Sequence, residues 1–195
     1  MSHTLSFSID ALPEMLRVLA YGGVLIVPTD TVYGLVCHPA YPEALERIRQ
    51  MKGRDKDKPF QLLAASVEKV REMGALKSDL AEHFARFWPG ALTLVLTCES
   101  GAIEGFRVPK GEVLTELLQQ CGGYLRATSV NLSGEPPATS LAEVPREILD
   151  SVDLILEGGV LPEGEASTVV QVTQNEEVRM LREGALCHCE GFLKP

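Results

Sequence analysis

Short apolar segments alternate with amphipathic segments along this chain of 195 residues, and the alternation restricts the folds open to it. Val24–Val27 is wholly apolar, which is typical of a strand in a sheet that is covered on both faces. An amphipathic helical pattern precedes it at residues 9–20, and Gly22 and Gly23 end that pattern. Because strands and helices mostly alternate in this way, we predict an α/β fold.

The same patterns recur along the rest of the chain. Apolar residues at helical spacing predict helices at residues 42–51, 67–73, 79–87, 112–121 and 141–150. Runs rich in apolar and β-branched residues predict strands at residues 60–65, 91–97, 124–128, 154–156, 167–172 and 178–181. Long loops interrupt the alternation, so we predict a mixed, twisted, open sheet and not a regular doubly wound one.

Charge and hydropathy exclude some classes of protein. The formal net charge is -9 and the isoelectric point is about 5.0. This balance argues against broad non-specific binding of nucleic acid, although it leaves room for one local basic groove. No apolar run reaches the ~18 residues of a membrane span. The first ten residues also lack the basic start and apolar block of a signal peptide, so we expect a cytoplasmic protein without membrane contact.

The five cysteines do not predict a disulfide framework, because their number is odd and their positions are scattered. Cys187 and Cys189 flank His188 and are the only candidates for a metal site. Paired thiolate ligands are usually separated by two or more residues, and the sequence has no second pair. We therefore interpret them as free thiols and predict no metal site.

A cationic loop, defined here as residues 52–59, stands out in this acidic chain. Six basic side chains lie between residues 47 and 58. Gly53 and Pro59 would interrupt a helix, so Lys52, Arg54 and Lys58 are expected on a loop. The loop could hold an anion. Taken alone, however, such a run is more often a solvated surface.

Four polar segments, each after a short apolar strand or a turn, lie at residues 29–34, 52–59, 129–134 and 167–168. Hydroxyls, an amide and cations are the donors that bind phosphate groups. The sequence has no Walker-type loop, no GxGxxG motif and no convincing Ser/His/Asp set. Each loop alone could be a simple turn, so the proposal depends on the set and its order.

The order of these segments resembles one family. The matching segments are VPTDTVYGL at residues 27–35, KGR at 52–54, FWPGALT at 87–93, RVP at 107–109, ATSVNLSG at 127–134, STVV at 167–170 and LREG at 181–184. Together they resemble the YrdC family, the TsaC-type threonylcarbamoyl-AMP synthases. The resemblance covers about residues 8–185 of what we expect to be a single YrdC-like domain, residues 1–195.

The resemblance implies a fold and an activity. The fold would be a twisted open sheet with helices around a large, concave, basic cavity. The activity would convert L-threonine, bicarbonate and ATP, with Mg²⁺, to L-threonylcarbamoyladenylate and pyrophosphate. The product would serve N6-threonylcarbamoylation of adenosine in tRNA, together with other proteins of that pathway.

The resemblance also implies roles for particular residues. Lys52 and Arg54 would be catalytic and would hold the ATP phosphates. The remaining ATP-binding residues would be Lys58, Ser129, Asn131 and Arg182. L-Threonine would be bound by Thr29, Arg107 and Ser167, with Arg107 on the carboxylate.

Departures from the family pattern keep alternatives open. Val130 stands where Ala is usual, and Asp55 stands where many members have Pro. Lys110–Glu112 replaces a common His-Pro. One alternative is a paralogue without synthase activity that binds double-stranded RNA or assists ribosome maturation. An aromatic content of only 6% provides few stacking platforms for RNA. Another alternative is a nucleotide-binding paralogue without turnover.

Overall fold

The computed structural model describes residues 3–53, 55, 59–161 and 164–186. Two predicted phosphate-binding residues, Arg54 and Lys58, lie outside the described residues. The cysteine pair at residues 187 and 189, weighed above as a metal site, lies outside them as well.

One mixed sheet contains the ten strands of the described residues. In chain order they are β1 (His3–Ser6), β2 (Val24–Val27), β3 (Gly34–Cys37), β4 (Gln61–Ala64), β5 (Leu92–Thr97), β6 (Ile103–Arg107), β7 (Tyr124–Ser129), β8 (Leu154–Glu157), β9 (Thr168–Val172) and β10 (Val178–Arg182). Their order across the sheet is β1-β8-β2-β3-β7-β4-β6-β5-β9-β10. The pairs β1–β8, β2–β8, β4–β6 and β5–β9 are parallel, and the others are antiparallel. The predicted α/β fold with a mixed sheet is confirmed.

Helices cover the sheet. They are α1 (Leu12–Ala20), α2 (Pro42–Lys52), α3 (Val67–Glu72), α4 (Asp79–Ala85), α5 (Glu112–Gln120) and α6 (Arg146–Leu149). Within the described part of the chain, none of them is long and apolar enough to cross a membrane.

Two predicted helices are wrong in detail. The pattern at residues 141–150 gives a 3-10 turn, Leu141–Glu143, and then α6. Val144 between them is extended, because proline at position 145 disfavours the helical conformation of the preceding residue. The pattern at residues 9–20 likewise begins with a 3-10 turn, Ile9–Ala11, before α1.

The helices divide between the two faces of the sheet. Helices α1 and α5 pack on one face, in an apolar cluster that draws on β2, β3, β4, β7 and β8. Helices α2, α3, α4 and α6 pack on the opposite face, in two further clusters. The face that carries α1 and α5 is called the open face below, because its β4–β6–β5–β9 part borders a cavity.

The sequence patterns missed three strands. His3–Ser6 is a short edge strand with little apolar character. Gly34–Cys37 directly follows a polar loop, so the sequence does not show where the strand begins. Ile103–Arg107 carries a glycine and two charged residues. Because strand patterns depend on apolar alternation, these strands are recognisable only through their tertiary pairing.

Candidate functional site

A cavity of about 560 Å³ lies on the open face of the sheet. Gln61, Gly105 and Val95 lie side by side in the strand register and line its floor. Of the nine predicted site residues, four line this cavity: Arg107, Ser129, Ser167 and Arg182. They span 76 residues of the sequence, so the sheet order brings them together.

Arg107 ends β6 and is almost fully buried, at 2% exposure. Its Nη2 atom donates to Asp30 Oδ1 (2.6 Å), and Nη1 donates to Thr31 Oγ1 (2.8 Å). Its Nε atom donates to the carbonyl of Gly90 (3.1 Å). The guanidinium plane is therefore fixed from several directions, and its fork geometry suits a carboxylate.

The Trp-Pro-Gly turn supports Arg107, a role that the sequence did not reveal. The indole of Trp88 is buried and donates to the carbonyl of Leu92 (2.7 Å). A side chain at Gly90 would meet the carbonyl oxygen of Phe87 at 2.9 Å. Glycine there allows the tight turn that brings its own carbonyl to the Arg107 guanidinium.

Thr29 shapes the turn that presents partners to Arg107. Its Oγ1 donates to the carbonyl of Val32 (2.7 Å) and accepts the backbone N–H of Thr31 (3.2 Å). Such a side-chain turn is typical of threonine after a strand. Thr31, and not Thr29, belongs to the cavity lining, so Thr29 lies one step behind the residues that reach the site.

Ser167 and Arg182 form the opposite wall of the cavity. The Arg182 Nε and Nη2 atoms both donate to the carbonyl of Ser167, at 3.0 and 2.8 Å. Nη2 also donates to Ser167 Oγ (3.1 Å). Loss of solvent around the guanidinium lowers the pKa of Arg182, although the residue keeps an exposed surface at the cavity rim.

Gly184 allows the backbone after β10 to pack closely against residues 166–168. A side chain there would lie 2.7 Å from the Ser167 carbonyl carbon and would also overlap the carbonyl oxygen of Ala166. The two backbones pack directly on each other, and the N–H of Ala185 donates to Ala166 (3.1 Å). The glycine of the LREG segment is thus needed for close packing against Ser167.

Lys52 binds the loop that carries Ser129 and Asn131. The residue is 1% exposed, and its ammonium donates to the carbonyl of Ser129 (2.5 Å). It also donates to the Asn131 carbonyl (2.7 Å) and to Asn131 Oδ1 (2.9 Å). The Ser129 hydroxyl donates to the same Oδ1 atom (2.6 Å). Direct contact of Lys52 with a phosphate would require an exchange of one of these bonds, so its predicted catalytic role stays a prediction.

Lys52 lines a separate depression of about 510 Å³, together with Gly53 and Ser133. Among the described residues, the lining of the larger cavity does not include Lys52, Thr29 or Asn131. Ser129 is the link between the two regions, because it lines the cavity and accepts a hydrogen bond from Lys52.

Several residues of the site were missed as site residues by the sequence analysis. Asp30 and Thr31 lie within the VPTDTVYGL segment and were not given a role, although they hold Arg107. Gln61 and Thr93 lie on strands and follow no polar motif. Neither carries a signal that distinguishes it from an ordinary polar strand residue.

The charged residues of the described cavity lining are Arg107 and Arg182. The basic character of the cavity as a whole stays a prediction. In the part of the chain that the structure describes, no group of three or more His, Cys, Asp or Glu side chains is placed to hold a metal ion.

Comparison with known proteins identifies the family. The model of the Sua5/YciO/YrdC family, described as "Telomere recombination", matches residues 17–184. The chain belongs to this family. The resemblance inferred from the sequence motifs is therefore confirmed.

One relative indicates the chemistry found in the family. It is named threonylcarbamoyl-AMP synthase, comes from Pyrococcus abyssi (strain GE5 / Orsay), and is 34% identical over 175 residues. The alignment covers 85% of this chain and 51% of that protein. The chain thus spans about half the length of this curated relative.

Two solved structures share the fold. P. abyssi Sua5 complexed with L-threonine is 28% identical with a TM-score of 0.83, over 94% of this chain and 57% of that one. E. coli YciO is 25% identical with a TM-score of 0.82, over 95% of this chain and 97% of that one. Family members of different length therefore share this overall fold.

Proposed function

We propose that the protein is an L-threonylcarbamoyladenylate synthase that uses L-threonine, bicarbonate and ATP. The observation that carries the proposal is the convergence of Arg107, Ser129, Ser167 and Arg182 on one cavity. The family membership and the name of the P. abyssi relative support the same reaction. The product would be used for threonylcarbamoylation of tRNA by other proteins of that pathway.

Threonine would bind at the Arg107 end of the cavity. The guanidinium is held in one plane by Asp30, Thr31 and the Gly90 carbonyl, so it is preorganised for a carboxylate. Ser167, on the neighbouring wall, would contact another polar group of the amino acid. The threonine complex of P. abyssi Sua5 supports an amino-acid ligand in this fold.

ATP would bind between Arg182 and the Ser129 loop. The Ser129 hydroxyl donates its proton to Asn131, so its oxygen is oriented by the loop that Lys52 fixes. Lys52 would act on the phosphates through its charge or through an exchanged bond. Arg54 and Lys58, which belong to the same cationic loop, would complete the phosphate contacts.

The reaction would proceed in two steps. The threonine nitrogen first attacks the carbon of bicarbonate or CO₂ and forms a carbamate, with loss of water from bicarbonate. A carbamate oxygen then attacks the α-phosphorus of ATP, and the bond to the β-phosphate breaks to release pyrophosphate. Such a transfer is accelerated mainly by positioning of the reactants and by neutralisation of the phosphate charge. A secluded cavity also protects the labile carbamate from water.

Mg²⁺ would enter with the nucleotide. The carboxylate of Asp30, beside the cavity wall, is engaged with Arg107. The described residues therefore do not offer a carboxylate cage for a resident ion, and the ATP phosphates would supply the ligands of Mg²⁺.

Threonine-dependent release of pyrophosphate tests the proposal. Purified protein is incubated with ATP, Mg²⁺, bicarbonate and L-threonine, and threonylcarbamoyl-AMP is measured by mass spectrometry. We expect both products, and neither in the absence of threonine or bicarbonate. ATP binding without either product would contradict the proposal. Tight, salt-sensitive binding of double-stranded RNA in its place would favour the paralogue alternative.

A further inference from the structure

A chain of hydrogen bonds crosses the cavity floor from β4 to β10. Thr93 Oγ1 donates to Gln61 Oε1 (2.8 Å) and also contacts Ser167 Oγ (2.8 Å). Arg182 Nη2 donates to the same Ser167 oxygen (3.1 Å). Thr93 and Ser167 are 4% and 2% exposed, so the middle of the chain is shielded from water.

The direction of each proton in this chain follows from Gln61. A hydroxyl has one proton to donate, and Thr93 donates its proton to the Gln61 carbonyl oxygen. Ser167 must therefore donate its own proton to Thr93. Because Ser167 also accepts from Arg182, its oxygen keeps one lone pair and has no proton for a ligand.

Gln61 presents the complementary group. Its Oε1 atom is engaged with Thr93, and its Nε2 amide has no hydrogen-bond partner among the described residues. Gln61 lines the cavity, so its two N–H donors are left for a ligand. The wall thus offers a donor at Gln61 and an acceptor at Ser167.

Gly105 makes this arrangement possible. Strand β6 lies between β4 and β5, and Gln61 must reach across it to contact Thr93. A side chain at Gly105 would lie 3.5 Å from Thr93 Cγ2 and 3.8 Å from Gln61 Cβ. Its absence leaves an open path for the Gln61 amide over the strand.

We propose that Gln61 selects amino acids that carry a side-chain hydroxyl. A hydroxyl is the group that both accepts one hydrogen bond and donates another. Its oxygen would accept from Gln61 Nε2, and its proton would go to the lone pair of Ser167. An isosteric methyl group leaves the Gln61 amide and the buried Ser167 oxygen unpaired in the occupied cavity, which is a strong basis for rejecting an analogue. That the ligand is an amino acid rests on the proposed function.

Equilibrium binding of L-threonine and L-valine to Gln61→Met tests this inference. Valine has the shape of threonine but lacks the hydroxyl. We expect the wild-type protein to prefer threonine by about tenfold or more, and Gln61→Met to reduce this preference to about threefold or less. Calorimetric titration without ATP measures both affinities.

Gln171→Met is the matched control. Gln171 lies on the same cross-strand row of the open face, two strands beyond Gly105, but outside the described cavity lining. It should keep the wild-type preference. A merely structural role of Gln61 would lower both affinities equally and would leave the ratio unchanged.

Three outcomes overturn the inference: Gln61→Met keeps the wild-type ratio, the wild-type protein prefers neither amino acid, or it binds neither. Thermal unfolding checks that each variant is folded. If Gln61→Met does not fold, Thr93→Val removes the central hydroxyl at constant shape and should lower the threonine preference in the same way.

Selective threonine binding without product formation would contradict the synthase proposal and would leave the role of Gln61 intact.

Discussion

Two arginine–carboxylate pairs lie on opposite faces of the same sheet and serve different purposes. Arg126 binds both oxygens of Glu104 through two nitrogens, at 2.6 and 2.7 Å. This pair lies on the covered face, opposite the open face. Arg107 donates to one oxygen of Asp30, to the Thr31 hydroxyl and to the carbonyl of Gly90. Arg126 also donates weakly to the carbonyl of Phe60 (3.4 Å), next to the sheet. Arg107, in contrast, connects two loops to a cavity wall.

The comparison shows that the role of an arginine–carboxylate pair depends on the face of the sheet it occupies and not on the residue types alone. Strand residues alternate between faces, so Glu104 and Arg107 on the same strand point in opposite directions. Burial differs as well. The side chains of Arg107 and Asp30 are 3% and 12% exposed, and those of Arg126 and Glu104 are 23% and 18% exposed. Where the sheet borders the cavity, a buried ion pair becomes part of a candidate binding site.

The strongest test of this contrast is the exchange of each arginine for lysine. Arg107→Lys keeps the charge but loses the fork, so we expect kcat/KM for threonine to fall by about 1,000-fold, from two charge-assisted hydrogen bonds of about 2 kcal/mol each. Arg126→Lys should change it by less than about twofold. Steady-state kinetics measures both. Equal losses in the two variants would show that the faces are not functionally distinct.

Removal of each carboxylate sharpens the contrast in stability. Asp30→Asn leaves a buried guanidinium without its carboxylate partner and should cost about 3 kcal/mol in the free energy of unfolding. Glu104→Gln should cost only about 1 kcal/mol, because the more exposed Arg126 can be hydrated. Urea unfolding measures the two losses, and a larger loss for Glu104→Gln would reverse our ranking.

Substitution of two glycines near the cavity distinguishes an effect on packing from an effect on ligand binding. Gly184→Ala forces a side chain into the Ser167 backbone and should destabilise the fold by about 2 kcal/mol. Gly105→Ala meets only ordinary contacts of 3.5–3.8 Å, so stability should change by less than about 0.5 kcal/mol. It should nevertheless weaken threonine binding, since it obstructs the path of Gln61. Thermal unfolding and calorimetric titration distinguish the two effects, and a stable Gly184→Ala variant would contradict the packing argument.

The smallest expected effect is the pH dependence of the covered face. Burial raises the pKa of Cys37, the neighbour of Arg126 in the strand register, from 9.0 to about 12. Above pH 9 the unfolded chain releases the thiol proton while the folded protein keeps it, so stability falls by about 1.4 kcal/mol between pH 8 and pH 10. The difference between the wild-type protein and Cys37→Ala in urea unfolding at pH 8 and pH 10 measures this contribution. Identical pH dependence would show that Cys37 is not buried as described.

The sequence predicted most of the covered elements, because buried helices and strands keep a clear apolar period. Val24–Val27 and Pro42–Lys52 have nearly the predicted bounds. Ile103–Arg107 was missed because it lies under the cavity, where a glycine and a polar residue replace apolar ones. Of the strands that border the site, Ile103–Arg107 therefore has the weakest strand pattern.

The site itself was predicted unevenly. Arg107 and Ser167 could be found because the motifs around them resemble a family. Their supporting residues could not, since Thr93 meets Ser167, and Gln61 meets Thr93, only through the strand order of the folded sheet. Lys52 was expected on a loop that binds phosphate. It is instead the last residue of α2, with its ammonium directed at three carbonyl oxygens.

The position of β1 in the sheet has a consequence for synthesis on the ribosome. His3–Ser6 pairs with Leu154–Glu157, so the first strand must wait for a partner about 150 residues away. At ordinary translation rates that interval is roughly 8–30 s. During it the growing chain can form the β2–β3 hairpin, but the edge of Val24–Val27 that β8 later covers stays open. An unpaired apolar strand edge of this kind is what chaperones shield while a chain is still incomplete.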